Sequence, residues 1–248
     1  MLKAGMSIID ITPEKGVQLG GYPHCPRPNE GVHDRLYASC MFLDNGTDRV
    51  AIVAMDIFFF TKRLCTEIRS KFDFDISFTA SHTHSAPNTG LVHDFEKNEG
   101  VFVDEAFVSD LVAKVEKIIK EAHDNTFDAE FGSYVGHCGA EQGVGGNRRE
   151  KGGVCDPSVN ILAVRDSDKK IRGILLNYAL HPTYLHADNV LVSADYPGGV
   201  RNYIHFAFPD AIFMFAQGTI GNQSSRYHRL GQTFEEACRV GTTLGVEI

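Results

Sequence analysis

Ile76-Ser77-Phe78-Thr79-Ala80-Ser81-His82-Thr83-His84-Ser85-Ala86-Pro87 decides how this chain is read. The run from Ile76 reads as a buried strand reaching Ala80, and Pro87 closes the stretch. Between them stand two imidazoles one residue apart. In extended backbone, residues i and i+2 face the same side. The spacing therefore aims His82 and His84 into one cleft. Neutral imidazole is the commonest metal ligand and a ready acid or base near neutral pH. Open α/β sheets place their sites at such strand ends. Two hydrogen-bonded loop histidines are the plainer alternative.

Outward from this stretch, apolar runs alternate with helical patterns. Val50 to Met55 reads as a buried strand ending at Asp56, and Thr61 to Phe72 as helical. Asp104 to Asp124 is a helix with one apolar stripe, Phe107, Leu111, Val115, Ile118 and Ile119, and Asp104 as its N-cap. Phe131 to Val135, Val159 to Val164 and Ile174 to Leu180 read as strands. Asp166 to Lys170 makes the last two a hairpin. Pro197 opens a short helix. Ala211 to Ala216 is a further strand, and Phe234 to Leu244 a further helix. The prediction is an α/β fold: one large domain over 1–248, with a central mixed sheet flanked by helices. Gly136 to Gly153, rich in glycine and charge, is expected to be a functional loop.

Composition narrows the class. The chain has 248 residues, 43% hydrophobic and 23% charged, as in soluble globular proteins. The net charge of -8, with no basic block beyond Asn147-Arg148-Arg149, argues against nucleic-acid binding. No apolar run approaches the roughly 20 residues of a membrane span. No apolar signal segment follows Met1, so a cytoplasmic location is expected. The six cysteines are scattered without a C-x-x-C and read as reduced, mostly structural thiols.

Three other segments offer chemistry. In Asn177-Tyr178-Ala179-Leu180-His181-Pro182-Thr183 a second strand delivers a histidine at its end. Two strand ends each offering a histidine can assemble a metal site from distant sequence, although catalytic zinc usually takes three protein ligands. Phe215 to Arg226 runs a strand into a glycine-bracketed turn. Its Ser224 can donate to an oxyanion, or attack if a base is near. Gly145-Gly146-Asn147-Arg148-Arg149 puts a guanidinium on a glycine-rich loop, where it can polarise a substrate oxygen. Gly31 to Tyr37, which places charges just before an apolar run with Gly20-Gly21-Tyr22 upstream, and the compact turn Ser193 to Gly198 are suited to lining a cleft.

In their order along the chain these pieces resemble the N-terminal domain of the neutral/alkaline non-lysosomal ceramidases. They run from Asp10-Ile11-Thr12-Pro13, through Gly31 to Ala38 and Ala80 to Pro87, to Gln217 to Arg226, and cover nearly the whole chain. The resemblance implies a zinc-dependent hydrolase of an N-acyl amide. His82 and His181 look like its zinc histidines, and His84 like its outer or substrate-side histidine, expected here to carry a proton. Arg148 falls at the active-site arginine. Ser224 falls at a serine assigned as nucleophile or as helper to a zinc-bound water. Asn222 and Ser225 replace the Asp and Pro usual around that serine. The family completes its zinc shell with a Glu and a Tyr beyond this serine, so a fragment of a longer protein is the expectation. In a complete chain, Asp56 and Asp195 are the remaining oxygen ligands. The expected partner is a small-molecule amide, not necessarily ceramide. Two other functions fit the same residues: a non-catalytic module with an incomplete metal shell, and a metal-free serine hydrolase built on Ser224.

Overall fold

The computed structural model describes residues 2–90, 93–94, 99–100 and 103–248. In chain order the elements begin with β1 (Lys3–Asp10), β2 (Gly31–Val32), β3 (Tyr37–Asp44), β4 (Arg49–Met55), α1 (Lys62–Arg69) and β5 (Asp75–Ala80). Next come β6 (His93–Asp94), β7 (Glu99–Gly100), α2 (Glu105–Asp124), β8 (Phe127–His137), β9 (Gly146–Asn147) and β10 (Ser158–Asp166). The series ends with β11 (Ile171–Tyr178), β12 (Leu191–Val192), α3 (Tyr196–Ala207), β13 (Ile212–Gln217), β14 (Gln223–Ser224) and α4 (Phe234–Gly245). Eight strands bond in the order β13-β11-β10-β8-β1-β3-β4-β5, a mixed sheet accompanied by helices, as the alternating pattern predicts. Contacts group the residues into two compact units, 1–128 with 187–194, and 129–186 with 195–248.

In the first unit β1, β3 and β4 are antiparallel neighbours, and β5 lies parallel to β4. α1 makes the crossover between β4 and β5. Its N-cap is Thr61, whose side chain accepts from the Leu64 amide. The stripe of α2 is buried as its periodicity requires, and Asp104 Oδ1 accepts from the Phe107 amide at 2.9 Å. Ser7 of β1 donates to the Ile118 carbonyl at 2.7 Å, tying strand to helix.

In the second unit β8, β10 and β11 are antiparallel, and β13 lies parallel to β11 after the α3 crossover. The 166–170 hairpin forms, with Lys169 at φ 65° in its turn. Three fully or nearly buried tyrosines organise this core. Tyr178 donates to the Cys138 carbonyl at 2.6 Å, Tyr184 to the Val144 carbonyl, and Tyr196 to the Leu180 carbonyl at 2.8 Å. Burial raises the pKa of all three phenols, so each stays a neutral donor.

Each unit thus holds one strand–helix–strand crossover with parallel strands. His82 follows β5 and His181 follows β11, both at carboxyl ends, where such sheets place their sites. All six cysteines are free; Cys40, Cys65 and Cys138 are buried and Cys238 is exposed. Among the described residues no helix is long and apolar enough to cross a membrane.

Candidate metal centre

The first unit brings His82 and His84 together, but not by strand alternation. β5 ends at Ala80, and His82 takes φ 66°, a backbone region that non-glycine residues rarely occupy. The extended geometry expected from the sequence is therefore replaced by a left-handed turn. Such strain gathers at functional sites. The two rings lie 5.1 Å apart, nearly perpendicular. His82 Nδ1 lies 2.8 Å from the Phe58 carbonyl oxygen and donates to it, which leaves Nε2 with its lone pair.

Aromatic rings wall this pair. Phe58 stacks on His82 at 4.4 Å and meets His84 edge-on at 4.8 Å. Tyr22 also meets His84 edge-on, at 4.9 Å. Gly21, at φ 88°, passes so close that a Cβ there would stand 2.3 Å from His84 Cγ. The turn is also held from below. Thr83 Oγ1 donates to the Ser193 carbonyl at 2.8 Å, and Asp34 accepts from Ser193 Oγ and the Ala194 amide. The segments around Asp34 and Ser193, both expected to line a cleft, are thus fastened to one another. Phe58 was assigned no role from sequence. The run Phe58-Phe59-Phe60 after Asp56-Ile57 was the visible signal.

The second unit assembles His181, Ser224 and Arg148 around one short ladder. β9 and β14 pair antiparallel, Asn147 opposite Gln223 and Gly146 opposite Ser224. The His181 amide donates to the Gln223 carbonyl at 3.2 Å, and His181 Nδ1 lies 3.4 Å from the Ile220 carbonyl oxygen. Leu180, just before the histidine, packs on Gly145, where a Cβ would come within 2.2 Å of Leu180 Cδ1. Arg148 donates from its amide to the Asn222 carbonyl (2.7 Å) and from Nε to the Gly221 carbonyl (3.0 Å). Partial burial, then the charges of Arg226 and Arg149, lower its pKa, yet a guanidinium remains charged at any working pH. Ser224 is buried, and its Oγ accepts from the Arg226 amide at 3.3 Å. The glycine-rich segment 136–153 is thus the tail of β8, β9 and the Arg148 loop.

The donor nitrogens of His82, His84 and His181 all lie within 4.8 Å of one another. Three imidazoles are a donor set suited to zinc. Asp56 and Asp195 stand outside this group. Asp56 Oδ2 accepts from the Tyr37 amide at 2.9 Å. The Asp195 carboxylate accepts from the amides of Leu185 (3.0 Å) and Tyr196 (2.7 Å), with the residue itself at φ 59°.

No protein-family model matches the chain. Two solved structures share its fold. One is a ceramidase complexed with C2, 19% identical with a TM-score of 0.81. The other is the neutral ceramidase from Pseudomonas aeruginosa, 20% identical with a TM-score of 0.81. Each match covers 99% of this chain, which spans 43% and 44% of those chains.

Proposed function

We propose that the chain is a zinc-dependent hydrolase of an N-acyl amide bond, with His82, His84 and His181 holding the ion. The group of three imidazoles, with donor atoms within 4.8 Å, carries this reading. The likeness in fold to two ceramidases supports an amide as the bond cleaved. The His82 bond to the Phe58 carbonyl is of the kind that fixes ring and tautomer in metal-ligating histidines. His84, expected from the sequence as a proton carrier, joins the ligand set in this reading. Its nitrogen groups with the other two, whereas Asp56 and Asp195 accept from backbone amides.

When bound, zinc supplies Lewis acidity at a carbonyl and makes a nearby water acidic near neutral pH. The chain's own groups then orient the substrate. Arg148, clipped to Gly221 and Asn222, presents a fixed charge to the oxygen that becomes negative as the amide carbon turns tetrahedral. Ser224, on the strand paired with that loop, donates its hydroxyl to the same oxygen.

Metal content decides the matter. Protein purified without chelator should carry near-stoichiometric zinc, and His82→Ala, His84→Ala and His181→Ala should each lose it. Arg148→Lys should keep the metal and lower kcat about 100-fold, because a point charge does not replace a planar fork. Release of free amine from a short-chain N-acyl amide measures kcat. Full metal occupancy in His84→Ala with activity lost would return His84 to the proton-carrying role. Metal without hydrolysis of any N-acyl probe would favour a binding module, and activity that survives chelation would favour a serine hydrolase. A wild-type protein that takes up no zinc sinks the proposal.

A further inference from the structure

Arg27 is 2% exposed, and among the described residues no carboxylate forms an ion pair with it. A guanidinium is expensive to bury unless its donors are met. Nη1 and Nη2 donate to carbonyls of three separate segments, while the buried Nε has no hydrogen-bond partner among the described residues. Nη2 donates to Gly20 and, at 2.7 Å, to His84; Nη1 donates to Asn189 at 3.1 Å. The flat face of the group lies against Tyr22, with Cζ 4.7 Å from the ring centroid.

Every group that Arg27 touches in turn touches the His84 turn. The Gly20 amide donates to the Ala86 carbonyl at 2.8 Å. Asn189 Nδ2 donates to Ser85 Oγ at 2.9 Å. The Tyr22 ring meets His84 edge-on at 4.9 Å. His84 follows a left-handed residue rather than a strand, so ordinary sheet pairing does not fix its ring.

We propose that Arg27 is a positioning residue for His84: its planar fork gathers the carbonyls of Gly20, His84 and Asn189 and so sets where the imidazole stands. The consequence for metal binding rests on the three-histidine reading; the consequence for the ring itself does not. Lysine keeps the charge and the stem but offers a compact point of donors, which does not span the same carbonyls. Arg27→Lys is therefore the informative change, with Ile68→Val, a core trim on α1 of the same unit, as the control for stability alone.

Two readouts separate the outcomes. The first is the long-range 1H–15N correlation of the imidazoles in metal-free protein. In Arg27→Lys the His84 signals should shift or broaden while those of His123 stay, and in Ile68→Val both should stay. The second is Co2+ affinity from visible absorbance, expected to fall about 10- to 100-fold in Arg27→Lys and to hold in Ile68→Val. Wild-type protein that binds no Co2+ would count against the metal reading, and the imidazole signals would still judge Arg27. Unmoved His84 signals overturn the inference. So does an affinity loss matched by Ile68→Val. Failure of Arg27→Lys to fold overturns it as well, since the guanidinium would then be supporting the unit rather than one ring.

Discussion

In the first unit, His82 sits at φ 66° on a turn walled by aromatic rings; in the second, His181 follows a parallel strand and is surrounded by hydrogen bonds. The first arrangement depends on backbone shapes that few residues adopt: His82 itself, and Gly21 at φ 88° beneath His84. The second depends on donors meeting carbonyls, with Tyr196 on Leu180, the His181 amide on Gln223, and Gln223 Oε1 accepting from the Asp156 amide at 2.6 Å. A strained turn fails when a side chain is added. A hydrogen-bonded clip fails when a polar atom is removed. The two regions should therefore be sensitive to opposite kinds of substitution.

The largest effect is expected at Gly21. In Gly21→Ala the new Cβ meets His84 Cγ at 2.3 Å, and the left-handed backbone alone costs about 1–2 kcal/mol for an L-residue. Relief requires moving the ring, so the total should be about 3 kcal/mol, with Co2+ affinity falling alongside. Urea denaturation measures the first and visible absorbance the second. A Gly21→Ala protein as stable as the wild type, with the same affinity, would break the comparison on the side of the first unit.

Tyr196→Phe should cost about 1.5 kcal/mol, because it leaves the Leu180 carbonyl without its phenol donor in a fully buried site. The shape of the core is kept, so the loss isolates the hydrogen bond. Leu180 precedes His181, and a small decrease in Co2+ affinity should accompany it. If Tyr196→Phe proved neutral, the second unit would not depend on this donor, and the contrast would lose its second side.

What could be read from the sequence follows the same division. α2 was legible to the residue, because its apolar stripe and Asp104 cap are local signals. So was the 166–170 hairpin, whose polar turn is also local. The strand ends carrying His82 and His181 were visible as apolar runs stopped by small residues and proline. β1 was not anticipated, because its alternation is interrupted and its burial comes from α2 far along the chain. The cause of the His82–His84 approach was misread as strand alternation, since a left-handed dihedral at a histidine leaves no trace in the residue pattern. Arg27 and Phe58 were missed for a related reason. Their roles lie in contacts with a turn 57 and 24 residues away, which composition and spacing do not encode.

The smallest expected effect tests the ionic side of the second unit. Glu236, in the first turn of α4, is 6% exposed and accepts from Arg239 Nε and Nη2 and from the Leu230 amide. Arg239 Nη2 donates in turn to the Gly143 carbonyl at 2.8 Å, so the pair links α4 to the segment leading into the Arg148 loop. The Arg239 hydrogen bonds hold the Glu236 carboxyl below its ordinary value, outweighing the opposing effect of burial. A carboxyl depressed in the folded state stabilises the fold above its unfolded pKa, near 4.3, and that contribution fades as the pH falls through the folded value. Glu236→Gln should therefore lower stability by about 1 kcal/mol at pH 7 and flatten its decline between about pH 5 and pH 3. Urea midpoints across that range measure both. An unchanged acid slope in Glu236→Gln would mean that the Glu236–Arg239 pair does not help to hold the segment leading into the Arg148 loop.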